Sequence, residues 1–127
     1  MHITKNDIPI KIDAPGAVAR HLPDFGVASG PLAAEYFSLG AGADLAPLLE
    51  GLTDDACHAA HWGYMITGEV VVTYSDGTDE TCTSGDVFYW HPGHSVRVST
   101  DAEMILFSPQ AEHARVLDHI LAKMATA

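Results

Sequence analysis

The sequence contains few basic residues and no block of like charge. Its 127 residues include 6 Lys and Arg against 17 Asp and Glu, so the formal net charge is −11. A surface of that sign repels phosphate backbones and anionic membrane faces, and we therefore expect neither nucleic acid nor a membrane as a partner. Because the acidic residues are scattered, a disordered acidic tail is not expected either.

Long apolar runs, targeting segments and a cysteine framework are also missing. No apolar stretch approaches the length of a membrane span, and residues 1–7 lack the basic-then-apolar pattern of a signal peptide. The predicted location is therefore the cytoplasm. The two cysteines are Cys57 and Cys82, and a disulfide framework is not expected in a chain without an export signal. Cys82 is predicted to be an inert strand residue.

Short apolar segments separated by turn residues make up most of the chain. Turn signals recur roughly every eight to twelve residues with no helical pattern between them, which predicts an antiparallel sandwich or barrel. Strands are predicted at residues 8–12, 18–22, 32–39, 57–66, 69–74, 80–83, 87–91, 95–99 and 102–107. Residues 44–52 are predicted to form a loop or one helical turn that covers the barrel mouth or edge.

The hydrophobic period changes at the C-terminal end. Ser108 followed by Pro109 predicts a helix N-cap and a first helical residue. An apolar stripe at helical spacing follows, predicted to pack on the outside of the barrel or on a partner subunit. Its members are Val116, Leu117, Ile120, Leu121 and Met124. Without repeats, low-complexity segments or linkers, residues 1–127 are predicted to be one domain, with a barrel at about 32–108 and a helix at about 109–125.

The order and spacing of Gly and Pro residues in the middle of the chain resemble the two motifs of the cupin superfamily. The matching runs are Tyr64-Met65-Ile66-Thr67-Gly68-Glu69, then Gly77, then Gly85-Asp86-Val87-Phe88-Tyr89-Trp90-His91-Pro92-Gly93. The chain is further similar to small actinobacterial single-domain cupins that carry a Cys-x-x-x-His-Trp-Gly-Tyr segment. This resemblance implies an all-β fold, a double-stranded β-helix or jelly-roll barrel, here with a C-terminal α-helix, and a homodimer.

The metal-binding pattern departs from that superfamily. The resemblance implies a His-x-His pair, a Glu four residues later and a third His after Pro-x-Gly. In this sequence His61 occupies the Glu position, while Cys57 and Asp55 occupy the two His positions. Val96 occupies the last position, and His94 lies two residues before it. The standard site of three His and one Glu is therefore absent, and a dioxygenase or isomerase mechanism does not carry over to this chain.

Strand alternation nevertheless predicts a different set of metal ligands. Cys57 and His61 share a parity, and His94 shares the parity of Val96, whose position the resemblance implies to face the lumen, so the three side chains can converge inside the barrel. A thiolate and two imidazoles suit Zn²⁺ foremost, with Fe, Ni or Cu as alternatives. Three protein ligands leave one coordination position open for water or substrate. His58 has the opposite parity and becomes a ligand only if a bulge breaks the alternation.

Three further residues are weaker candidates for the site. Asp55 and His58 are alternative ligands, or an acid or base if either reaches the mouth of the barrel. His91, at the end of a predicted strand, can line the site. Glu35 lies on another predicted strand, where it is either a solvent-facing alternate or an inward acid.

Two functions follow from this pattern. The first is a metal-dependent enzyme acting on a small molecule in the barrel lumen, with the metal as Lewis acid or activator of water. Paired carboxylates or a nucleophile triad, which would define the reaction, are not evident. The second is a non-catalytic module that binds or senses a small ligand or a metal. In its extreme form it is metal-free, with Cys57 a buried thiol and His61 a hydrogen-bonded core histidine.

Overall fold

Antiparallel strands account for most of the regular secondary structure. The computed structural model describes residues 1–15, 17–27 and 30–126. In chain order the strands and the helix are β1 (His2–Thr4), β2 (Ile10–Ala14), β3 (Ala17–Arg20), β4 (Leu32–Leu39), β5 (His61–Tyr74), β6 (Asp79–Thr83), β7 (Asp86–Trp90), β8 (His94–Pro109) and α1 (Gln110–Ala125). Short 3₁₀ turns lie at Lys5–Asp7, Ala46–Leu49 and Thr53–Asp55.

Six of the strands form one sheet that curls around an apolar core. The sheet order is β1-β7-β5-β8-β4, and β6 pairs with the second half of β5. Met65 in the first half of β5 and Val72 in the second half belong to the same buried cluster. Because one strand contributes to both ends of the core, the sheet must close around its apolar face. The predicted fold class, an all-β jelly roll with a C-terminal helix, is confirmed. β2 and β3 form a separate two-stranded sheet.

The two strands predicted at 57–66 and 69–74 are in fact one strand with a bulge. The buried positions of β5 change parity between Met65 and Val70, and its register with β8 shifts on either side of Thr67. Gly68 has a φ of +85°, and a Cβ there would lie 2.1 Å from the backbone oxygen of Asp101. Glycine is therefore required at the point where the strand bends. The segments predicted at 95–99 and 102–107 likewise join into β8.

The predicted start of the helix is wrong by one residue, and the predicted cap is wrong. Helix α1 begins at Gln110, and Pro109 occupies the N-cap position. Ser108 is completely buried and directs its hydroxyl into the core of the barrel. Because β8 runs through to Pro109, the backbone at Ser108 is extended and paired with Ala33 of β4.

One side of α1 closes one end of the core. His113 and Val116 are buried, and Val116 packs in a cluster with Leu49 of the 3₁₀ turn Ala46–Leu49. Leu121 and Met124, by contrast, are 64% and 58% exposed. The predicted stripe thus packs on the barrel along its Val116 side, while the homodimer stays a prediction. Within the described residues, no helix has the length and apolar character needed to span a membrane.

The chain enters β5 through a bend, and residues 57–60 are not part of the strand. Cys57 instead forms an isolated antiparallel bridge with His94, the first residue of β8. The backbone N–H of Cys57 donates to the His94 carbonyl at 2.8 Å, and the N–H of His94 donates back at 3.1 Å. This bridge brings the cysteine to the end of the barrel where β5 and β8 begin.

Candidate metal centre

Cys57, His61 and His94 come together at one end of the barrel. One ligand atom from each lies within 4.8 Å of the others, and all three residues are buried. The thiol of Cys57 is 3.6 Å from Nε2 of His61, and the two imidazole centroids are 4.9 Å apart. The structure thus brings together the three side chains that the sequence suggests as ligands.

Three different local features position these side chains. His61 is the first residue of β5 and points inward, on the same face as Met65. His94 is an inward position of β8, whose buried residues alternate regularly from His94 to Val98. Cys57 reaches the same place through its backbone bridge with His94. Strand alternation therefore correctly predicts that the two histidines point toward each other. Cys57 reaches the same place through the bend before β5 and not through alternation.

Hydrogen bonds hold both imidazoles with Nδ1 turned away from the cluster. Nδ1 of His94 lies 2.8 Å from the carbonyl oxygen of His91, so this nitrogen carries the proton and donates. Nδ1 of His61 lies 2.6 Å from Oγ of Ser108, whose hydroxyl donates to Oε1 of Glu35 at 2.5 Å. Because the Ser108 proton goes to Glu35, Oγ must accept from His61. Nε2 of each histidine keeps its lone pair, as a metal ligand requires.

The distance between Cys57 and His61 fits two ligands of a tetrahedral metal ion. With Zn–S of about 2.3 Å and Zn–N of about 2.0 Å, sulfur and nitrogen ligands of tetrahedral zinc lie about 3.5 Å apart. The separation between Cys57 Sγ and His61 Nε2 is 3.6 Å. A thiol that donates a hydrogen bond to the imidazole also has this separation, so metal content is the property that distinguishes the two arrangements.

Burial determines the protonation states within this cluster. Burial lowers the pKa of His94 to about 4 and lowers that of His61 well below its usual range, so both imidazoles are neutral at pH 7. Burial raises the pKa of the Cys57 thiol to about 11. Without a cation the thiol keeps its proton, and a metal ion that binds here must displace that proton.

Glu35 and His113 form a second polar group behind His61. The imidazole of His113 lies with its centroid 4.5 Å from that of His61, and its Nδ1 is 2.5 Å from Oε2 of Glu35. This close polar contact lacks the alignment of a regular hydrogen bond. Burial raises the pKa of Glu35, but the contacts with His113 and Ser108 outweigh burial and lower it overall. Glu35 is therefore an inward, ionised carboxylate.

The sequence pattern contained signals for these residues. Glu35 shares the parity of Phe37 and Leu39, the inward residues of β4, and Ser108 shares the parity of the buried positions of β8. His113 lies three residues before Val116 on the apolar face of α1. Glu35, His61 and His113 also satisfy the spacing of a metal site. Since Ser108 already joins Glu35 to His61, we interpret this group as support for the imidazole.

The three weaker candidates lie outside the cluster. Asp55 is exposed in the turn Thr53–Asp55, and its Oδ1 accepts from the backbone N–H of Gly51 at 3.0 Å. His58 is exposed, with Nε2 2.9 Å from the carbonyl oxygen of Thr53. His91 is also exposed and stacks on Tyr74 with a centroid distance of 4.0 Å.

An apolar cavity of about 60 Å³ opens beside the cluster. Cys57, His61, His94 and His113 form part of its wall. Leu49 and two residues of α1, Val116 and Ile120, form another part. A small molecule in this cavity would therefore contact the candidate metal centre directly.

Comparison with known proteins gives distant likenesses to solved structures. No family model matches the sequence, and no curated protein matches it. A protein of Neisseria meningitidis is 14% identical over 69% of this chain and 88% of its own, with a TM-score of 0.47. The oxalate decarboxylase of Lactobacillus farciminis, solved as a formate complex, is 21% identical over 85% of this chain, with a TM-score of 0.46. The match spans 32% of that decarboxylase.

A third likeness has nearly the length of this chain. An RmlC-like cupin from Shewanella frigidimarina is 21% identical over 86% of this chain and 90% of its own, with a TM-score of 0.48. At such identities and scores, these are likenesses of fold that say nothing about chemistry. The solved structures similar to this chain thus include an oxalate decarboxylase and an RmlC-like cupin.

Proposed function

We propose that this chain is a small metal-binding cupin in which Cys57, His61 and His94 hold one divalent transition metal ion. The observation that carries the proposal is the orientation of the two imidazoles. Their Nδ1 atoms are engaged by Ser108 and by the His91 carbonyl, so both Nε2 atoms are available. Metal ligation requires this orientation, because only a ring nitrogen that carries a lone pair can bind the ion.

Zn²⁺ is the proposed ion, with Fe, Ni or Cu as alternatives. One thiolate and two imidazoles form a borderline-soft donor set that zinc favours, and three protein ligands would leave one coordination position for water or a small molecule. A bound ion supplies Lewis-acid chemistry or an activated water molecule. The buried pair of Glu35 and His113 lies beside His61 and supplies groups that can hold or accept a proton.

The proposed activity is a reaction of a small molecule in the cavity beside the metal. A non-catalytic role in binding or sensing is the second candidate. The mostly apolar cavity wall favours this role, because such a wall supplies few groups for acid/base chemistry. Glu35 and His113 are the principal acid/base groups nearby. The enzyme requires the metal centre, whereas the binding or sensing module uses it only in its metal-binding form.

Metal content tests the proposal. The protein, purified without an affinity tag and reconstituted with Zn²⁺ or Fe²⁺, is expected to hold about one ion per chain. Cys57→Ala and His61→Ala should each lose the ion, because three ligands become two. His58→Ala is the matched control, since His58 is an exposed neighbour that bonds the Thr53 carbonyl. A wild-type protein without stoichiometric metal would falsify the proposal, and retention of the ion by both ligand variants would show that the ligands are different.

A further inference from the structure

The polar groups of the cavity are concentrated at one end. Ten of the sixteen residues that line it are aliphatic or phenylalanine. The other six are Cys57, His61, Trp90, His94, Ser95 and His113. The imidazole centroid of His61 lies 4.9 Å from that of His94 and 4.5 Å from that of His113. A ligand therefore finds polar partners at the metal centre and hydrocarbon over most of the remaining wall.

The wall offers no partner to a second charge. Among the lining residues that the structure describes, none is Lys, Arg, Asp or Glu. The nearby carboxylate of Glu35 is engaged by Ser108 and His113 and does not line the cavity. A charged group far from the metal would thus be buried against side chains such as Leu106 and Val116, which is strongly unfavourable without a partner.

The size of the cavity limits the ligand further. A volume of about 60 Å³ accommodates roughly four to six water-sized groups, at about 10–15 Å³ for each. A head group with a chain of two to four carbons fills that space. Longer chains exceed that volume.

We propose that the cavity binds a small, mostly apolar molecule that carries a single metal-ligating group. This inference rests on the proposed function, because the metal held by Cys57, His61 and His94 receives the head group. The apolar wall then selects the remainder of the molecule by burying it. Each buried methylene should tighten binding roughly fourfold until the cavity is full.

The test uses short-chain monocarboxylates with protein reconstituted with Co²⁺, whose visible absorption reports changes in coordination. Formate, acetate, propionate and butyrate are titrated in turn, followed by octanoate and succinate. Affinity is expected to rise along the series to butyrate and to fall for octanoate. Succinate replaces the methyl group of butyrate with a second carboxylate, and it should bind at least tenfold more weakly than butyrate.

Variants of α1 locate the effect in the cavity. Val116→Phe fills the space and should abolish the gain with chain length while Co²⁺ stoichiometry stays unchanged. Leu121→Phe is the matched control, because Leu121 lies on the same helix but is exposed. If Val116→Phe does not fold, Val116→Ala enlarges the cavity and should move the optimum toward longer chains.

The outcomes separate this inference from the proposed function. A protein that does not bind Co²⁺ overturns both. A protein that binds Co²⁺ but none of the carboxylates, shows no effect of chain length, or prefers succinate overturns the inference alone. The same holds if Val116→Phe and Val116→Ala both leave the chain-length profile unchanged.

Discussion

Ser108 offers the sharpest test of how the metal centre is held together. Its Oγ accepts from His61 Nδ1 at 2.6 Å and donates to Glu35 at 2.5 Å, in a position with no solvent exposure. Ser108→Ala removes both bonds and leaves a buried N–H and a buried carboxylate oxygen without a partner. A neutral bond contributes about 1 kcal/mol and a bond to a charged group about 1.5–3 kcal/mol, so the free energy of unfolding should fall by about 2–4 kcal/mol.

The same change should weaken metal binding. Without Ser108, neither the tautomer nor the ring orientation of His61 is fixed, and loss of such outer contacts typically lowers metal affinity by about 10–100-fold. Urea denaturation of the metal-free protein measures the stability, and competitive titration with a zinc chelator measures the affinity. Ser108→Thr retains the hydroxyl and should restore most of the affinity.

The comparison of the two measurements decides whether the reasoning holds. A variant that loses stability but binds zinc within about threefold of the wild type would show that Ser108 is a packing residue only. Equal affinity losses in Ser108→Ala and Ser108→Thr would show that the methyl or the local backbone matters instead of the hydrogen bond. Either result would refute the role of the Ser108–His61 hydrogen bond in metal binding.

Three further predictions concern the metal-free protein and the frame of the barrel. Burial lowers the pKa of His94 from 6.5 to about 4 on folding, so between these pH values the unfolded chain binds more protons and stability falls as the pH falls. We expect His94 to contribute a loss of about 2 kcal/mol between pH 7 and 5. Urea denaturation of His94→Asn should show a shallower pH dependence, and an unchanged one would contradict the assignment. Glu35→Gln should lower the unfolding temperature without abolishing zinc binding, because Ser108 retains an acceptor; complete loss of zinc would instead make Glu35 a ligand. Gly68→Ala should lower the stability of the protein by several kcal/mol and Gly77→Ala by about 1 kcal/mol. Both glycines have a positive φ, but only at Gly68 would a Cβ meet backbone atoms. Equal losses would refute the steric argument.

Local sequence patterns predicted the sheet well because its strands are regular. The alternation in β8 correctly placed His94 on the inner face with Val96. The parity change at Gly68 was not predicted, since a glycine at a bulge and a glycine at a turn look alike in a sequence. Its role depends on the backbone of Asp101 pressing against it, which is a contact between distant parts of the chain.

The support of the metal centre depends on such distant contacts even more. Ser108 and Glu35 are 73 residues apart, and His113 reaches them only because α1 folds back over the end of the barrel. Ser-Pro before an apolar stripe is a good N-cap signal. This signal favours a helix cap at Ser108, although Ser108 continues the inward parity of β8. Residue types and parity can thus suggest metal ligands. The groups that orient those ligands lie on other strands and on the helix, and no local sequence pattern predicts how these elements pack together. If Ser108 and Glu35 prove to control zinc affinity, the centre is defined by five residues from β4, β5, β8 and the bend before β5, and a search for Cys-x-x-x-His alone would describe only part of it.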